Sequence, residues 1–106
     1  MIVRNSLLII FASIFLSACA SPKMSQELEG GKMKFSEGDY KEAFHELLPI
    51  AVKGRMEAQY AVGYMYYNGL GVAQDNESGI FWMTKSADQH YEPAENALQM
   101  IRAKQR

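Results

Sequence analysis

The chain has a single cysteine, Cys19, and two histidines, His45 and His90, among its 106 residues. One cysteine excludes an intramolecular disulfide, so the fold has to be held by packing alone. The histidines are not spaced as a metal pair, and no second cysteine exists to join them. Charge of one sign is also missing: 11 basic residues face 12 acidic ones, a balance that argues against nucleic acid as a partner. The carboxylates are scattered along the chain, and no pair of them argues for acid–base work. Ser6, Ser13 and Ser17 lie in the N-terminal segment, and the later serines have no nucleophile-elbow or Ser-x-x-Lys context. Gly69-Leu70-Gly71 follows no strand, so it is not a phosphate-binding loop. No catalytic residue, metal site or cofactor is expected.

The N-terminal segment has a different composition from the rest. Arg4 gives a short positive region, and Leu7–Leu16 is an uncharged apolar run too short to span a bilayer comfortably. Leu16-Ser17-Ala18-Cys19 follows, with small residues just ahead of the cysteine. This tetrapeptide resembles a bacterial lipobox. The resemblance implies a signal peptide over residues 1–18 and a Cys19 that carries a diacylglyceryl thioether and an N-acyl chain, a set that anchors stably where one chain would not. The other reading of the same residues is an ordinary secretory signal with a chance cysteine. Ala20 rather than aspartate follows Cys19, and the sorting rule for such lipoproteins then implies the outer membrane, facing the periplasm. Residues 19–23 read as the lipidated cysteine and a polar tether whose Ala20–Lys23 part reaches only about 15 Å when extended. Residues 24–106 read as one small domain.

Glu57 to Ala87 is the most strongly patterned stretch. Ala58, Val62, Tyr66 and Gly69 fall at i, i+4, i+8 and i+11, one stripe of a helix. Gly69 and Gly71 can take positive φ and reverse the chain. Asp75 is a good N-cap for a second helix with Gly79, Trp82, Met83 and Ser86 on its stripe. Ala58, Gly63 and Gly79 let the two backbones approach, and Tyr66 and Trp82 are expected to fill the space between them, with Trp82 meeting Gly63. The ordered set Ala58-Gln59, Val62-Gly63, Tyr66, Gly69-x-Gly71-Val72, Asp75, Trp82, Lys85 and Ala87 resembles one full Sel-1-like repeat. That family is a relative of the tetratricopeptide repeat and builds α-solenoids. Gly79 and Ser86 depart from it, standing where alanine is common, which should weaken the second helix slightly. Some secreted members rich in paired cysteines have been labelled β-lactamases; this chain lacks those cysteines.

Weaker copies flank the full repeat. Asp39 recurs as Asp75, Leu47 as Met83, Ala51 as Ala87, Ala58 as Ala94 and Ala61 as Ala97, all at a spacing of 36 residues; a period of this size marks a solenoid. A first helix is expected over Met24–Ser36, with Leu28, Gly31 and Phe35 on its stripe. Asp39 and Glu42 read as a capping box for a second helix, which Pro49 should kink. A fifth helix starts near Pro93 and carries Ala94, Ala97, Leu98, Met100 and Ile101. The fold class is therefore all-α, a short solenoid of antiparallel helix pairs with about two and a half repeats. Helix five, without a successor, is expected to present an apolar face to another chain.

Tyr60, Tyr64 and Tyr67 lie at i, i+4 and i+7 beside the packed stripe. One reading makes them part of a shallow groove, together with Met24, Leu28 and Gly31 one period earlier and Asn96, Met100 and Ala103 one period later. The other packs them on the next helix. Tyr60, Tyr64, Tyr67 and Met100 are the candidate partner-binding residues. The resemblance implies a non-catalytic module that docks a protein or peptide in the cell envelope, with self-association allowed. An accessory to a cell-wall or polysaccharide hydrolase is the alternative, and a polysaccharide-export scaffold a weaker one.

Overall fold

A computed structural model describes residues 21–106; Cys19 and the rest of the N-terminal segment lie outside the described residues. Among the described residues five helices follow one another: α1 Pro22–Ser36, α2 Tyr40–Val52, α3 Met56–Asn68, α4 Asn76–Ala87 and α5 Glu92–Lys104. Each packs on the next in sequence, which gives the expected all-α stack of helix pairs. α1 begins at Pro22, two residues ahead of its expected start, because proline's fixed φ and missing N–H suit a first helical turn.

The turns explain the regularity. After α1, Gly38 at φ 82° lets its N–H reach the Phe35 carbonyl and the Asp39 N–H reach the Lys34 carbonyl. After α2, Gly54 does the same with Ala51, and Arg55 with Ile50. These paired bonds close a helix end whose last carbonyls would otherwise be orphaned. One period after Gly54, the left-handed position is held by His90 at φ 63°. Gly71 does a second job. A Cβ there would overlap the Tyr40 carbonyl, so the loop after α3 presses directly on the start of α2.

The two expected caps differ. Asp75 is extended (φ −148°, ψ 98°), and its carboxylate accepts from the Ser78 N–H at 3.1 Å and the Ser78 hydroxyl at 2.7 Å. Those bonds, the hydroxyl's first, hold its carboxyl below the usual carboxylate range. The cap is therefore complete above that range and is lost as pH falls through the lowered value. Asp39 has no such bond, and the capping box with Glu42 does not form. Entering from the Gly38 turn, Asp39 sits at φ −84°, ψ 68°, outside the extended region from which a side chain reaches back to the N2 or N3 amide. α2 nonetheless runs unbroken past Pro49 to Val52.

Two apolar clusters form the core. The larger joins α1, α2 and α3 through Leu28, Leu47, Ile50, Ala58, Val62 and Met65; the smaller joins α4 and α5 through Met83, Ala97, Leu98 and Ile101. Between them α3 and α4 cross at two glycines. A Cβ on Gly63 would stand 2.8 Å from the Gly79 carbonyl and 2.8 Å from Met83 Cγ. The residue that meets Gly63 is thus Met83, not Trp82. Trp82 is half-buried against the other cluster and edge-on to Phe81, with ring centroids 5.5 Å apart. Helical rotation decides this: neighbours in sequence point about 100° apart, and the close crossing selects the slimmer, unbranched methionine.

Gly79 and Ser86 also have packing reasons. Gly79 supplies the other half of the crossing. Ser86 is fully buried, and its hydroxyl donates to the Met56 carbonyl at 2.7 Å across 30 residues. A net gain of about 0.5–1.5 kcal/mol from such a bond offsets the propensity that alanine would add.

Candidate partner-binding groove

Tyr60 and Tyr64 stand one turn apart on α3, with ring centroids 6.3 Å apart. Tyr91, the residue ahead of α5, sets its ring 5.7 Å from Tyr60, and Phe35 of α1 sets its ring 6.1 Å from Tyr64. Tyr40 extends the row, edge-on to Phe35 at 5.2 Å. Five aromatic rings from four parts of the chain thus form a continuous strip. Four of them, Phe35, Tyr60, Tyr64 and Tyr91, border an open groove of about 470 Å³ with Ala61 and Leu47 at its base and Lys32 and Glu57 at its edges.

The charged edges are held in place. Lys32 Nζ lies 3.0 Å from Glu29 Oε1, and that bond, with the carboxylate's charge, raises the lysine's pKa. Glu57 Oε2 lies 3.4 Å from Arg55 Nε. Burial pushes the Tyr60 hydroxyl up from its ordinary value, so it remains a hydrogen-bond donor at neutral pH. The arrangement offers ring faces, phenolic donors and one charge of each sign, which suits an extended chain segment with apolar side chains.

The expected residues divide. Tyr60 and Tyr64 line the groove, and Tyr64 remains 39% exposed. Tyr67 packs instead: its Cβ lies against Gly79, and its ring joins the α4–α5 cluster. Met100 is 64% exposed on α5 but is not among the groove's lining residues. Leu28 and Gly31 belong to the core; a Cβ on Gly31 would run into the Leu47 side chain. The residues that α1 gives to the groove are Lys32 and Phe35. Ala103 lines a separate shallow depression with Gln99, Arg102 and Arg106. The unpartnered face expected on α5 is also corrected. Ala94, Ala97, Leu98 and Ile101 are already buried by α4 and its neighbours, leaving Met100 alone outside.

Lys32, Phe35 and Tyr91 were not legible as groove residues. Lys32 and Phe35 share an i, i+3 face, a usable signal, whereas Tyr91 sits in a turn and shows no helical periodicity. His45 is exposed on α2; His90 is exposed with Nδ1 3.9 Å from Glu95 Oε1. Among the described residues no three His, Cys, Asp or Glu side chains gather as metal ligands, and no helix is long and apolar enough to cross a membrane.

The profile of the Sel1 repeat matches residues 57–91, the span of α3, its glycine loop, α4 and the turn to Tyr91. The chain carries a Sel1 repeat. The signature residues have visible work in it: Ala58 is fully buried, Gly69 and Gly71 take φ 69° and 71°, and Asp75 caps α4. The helices on either side extend the same stacking. Among curated proteins, the chain is 43% identical over 49 residues to "Chitin synthase regulatory factor 3" of Schizosaccharomyces pombe, covering 46% of this chain and 5% of that protein. It is 44% identical over 46 residues to "Putative sel1-like repeat-containing protein L18" of Acanthamoeba polyphaga mimivirus, covering 42% of this chain and 8% of that protein. The chain therefore spans a small part of the relatives it matches. Sel1 repeats are protein–protein interaction elements, and the groove lies along the first helix of this one.

Proposed function

We propose that this protein is a non-catalytic adaptor of the bacterial cell envelope, lipid-anchored through Cys19 in the outer membrane and facing the periplasm, which docks a protein or peptide partner in the groove beside Tyr60 and Tyr64. The observation that carries the docking role is the row of four aromatic rings, Phe35, Tyr64, Tyr60 and Tyr91, that lines an open groove along the Sel1 repeat. The anchor rests on Leu16-Ser17-Ala18-Cys19 and the short apolar run before it. The fission-yeast relative is named for regulating a synthase, a role consistent with an adaptor.

Two measurements test this reading. Intact mass of the mature protein is expected to show cleavage before Cys19 and added acyl chains; an unmodified product, or one starting elsewhere, rules out the anchor. For the groove, a photo-crosslinking side chain at Tyr64 is expected to capture a defined envelope protein that the same probe at Gln99 does not. Tyr64→Ala is then expected to weaken that capture by about tenfold, the effect of a lost aromatic contact of some 1.4 kcal/mol. Its melting temperature should stay near wild type, because the ring is part-exposed and no buried polar group depends on it. Equal capture at Tyr64 and Gln99, or full capture by Tyr64→Ala, rules out the groove.

A further inference from the structure

One end of the stack gathers the start of α1, the end of α2, the start of α3 and the turn between α4 and α5. The turn after α2 is unusually well fastened. Gln59 Nε2 donates to the Ala51 carbonyl at 3.2 Å, Gln89 Nε2 donates to the Gly54 carbonyl at 2.9 Å and to Gln59 Oε1 at 2.8 Å, and Ser86 holds Met56. Gly54 at φ 106° completes a rigid turn. Yet this turn holds Val52 outward at 69% exposure, the most exposed of the large apolar residues in the described chain, with Lys53 beside it. Arg55 is occupied by Glu57, while Lys53 faces solvent next to Gln26 and Glu27 of α1. Lys23, also exposed, lies at the beginning of α1, 3.9 Å from Glu27. The neighbouring turn adds Asp88 and His90, farther along the stack.

The length of chain ahead of α1 says what this end faces. Pro22 is three residues after Cys19, a reach of about 10 Å when fully extended. The polar headgroup layer on each side of a bilayer is about 5–8 Å thick. An acylated Cys19, with its chains in the hydrocarbon, therefore holds the start of α1 no more than about 2–5 Å beyond the outer edge of the headgroups, close enough for this end of the stack to touch them. We propose that the Val52–Arg55 turn is a membrane-contact surface: Val52 seats at the boundary between headgroups and acyl chains, and Lys23 and Lys53 contact the phosphates of anionic phospholipids. A rigid apolar tip flanked by long cationic side chains has the chemistry of an interfacial contact. The helices then stand up from the bilayer, and the aromatic groove opens sideways. This inference rests on lipidation of Cys19.

The test uses the full lipidated chain in vesicles of phosphatidylethanolamine and phosphatidylglycerol, its acylation checked by intact mass. Acylation blocks Cys19, so a polarity-sensitive fluorophore goes only to an introduced thiol, at Val52→Cys or, at the opposite end, at Ala73→Cys. The expected result is a blue-shifted label at position 52, quenched by spin-labelled lipid several-fold more than the label at position 73. The double change Lys23→Glu and Lys53→Glu, in the protein labelled at position 52, is expected to reduce that quenching. In acylated protein, equal quenching at both positions, or quenching indifferent to the lysine changes, overturns the surface and leaves the anchor standing. Absence of the acyl mass overturns the anchor, and the surface with it.

Discussion

Gly63→Ala is expected to lower the melting temperature, although alanine is the better helix former. In an open helix the change would add about 0.5–1 kcal/mol of stability. Here the new Cβ meets the Gly79 carbonyl at 2.8 Å, Met83 Cγ at 2.8 Å and the Met83 N–H nitrogen at 2.9 Å. The methionine side chain can swing away, but the other two atoms are backbone. Relief requires α3 and α4 to separate, which loosens both apolar clusters at their junction. Overpacking of this kind costs about 1–3 kcal/mol and wins over the propensity gain. A net loss of about 1–2 kcal/mol corresponds to a drop of roughly 5–15 °C for a domain of this size. Gly79→Ala meets the same crossing from the other side, 2.9 Å from the Gly63 carbonyl. The double variant should cost less than the sum, because the helices separate once. Thermal unfolding followed by circular dichroism measures all three. A Gly63→Ala protein that melts at or above the wild-type temperature contradicts the close crossing.

What the sequence made legible is what depends on nearby residues. The helix stripes, the left-handed turn at Gly69, the Asp75 cap and the 36-residue period all involve residues within a few positions of one another or a simple repetition. The failures share another cause. Trp82 in place of Met83 against Gly63 is an error of rotation between two helices, a quantity that periodicity constrains only to within a residue. Asp39 looks identical to Asp75 in sequence, yet the turn it follows sets its φ and ψ and denies it the cap. The groove is the clearest case. Tyr60 and Tyr64 were visible because they share a face of one helix. Phe35 and Tyr91 complete the strip from α1 and from a turn, and only the stacking of separate helices brings them there. Ser86 reads as a weak helix former in the sequence because its partner, the Met56 carbonyl, lies 30 residues away.

The largest loss of stability is expected from Leu47→Ala. Leu47 is fully buried in the α1–α3 cluster, and it also forms the base of the aromatic groove. Its side chain occupies the space that Gly31 leaves open: a Cβ on Gly31 would stand 2.6 Å from Leu47 Cδ2 and 2.7 Å from its Cγ. Truncation removes a packed isopropyl group and leaves a cavity, at a cost of about 2–5 kcal/mol. Small domains sit near the low end of the usual 5–15 kcal/mol, so this is a large fraction of the total. A fall in melting temperature of about 8–40 °C follows at some 4–8 °C per kcal/mol. Gly31 offers a partial rescue that Gly63 does not. The three atoms nearest to a Cβ at Gly31 all belong to side chains, Leu47 and Glu46. Gly31→Ala alone should therefore destabilise by crowding Leu47, whereas in the Leu47→Ala background the added methyl enters vacated space and gains helix propensity. The double variant is expected to melt above Leu47→Ala alone, a favourable coupling measurable by a double-mutant cycle. If Gly31→Ala lowers stability equally in both backgrounds, α1 and α2 do not interlock at this pair, and the register that sets Phe35 and Lys32 along the groove is wrong with it.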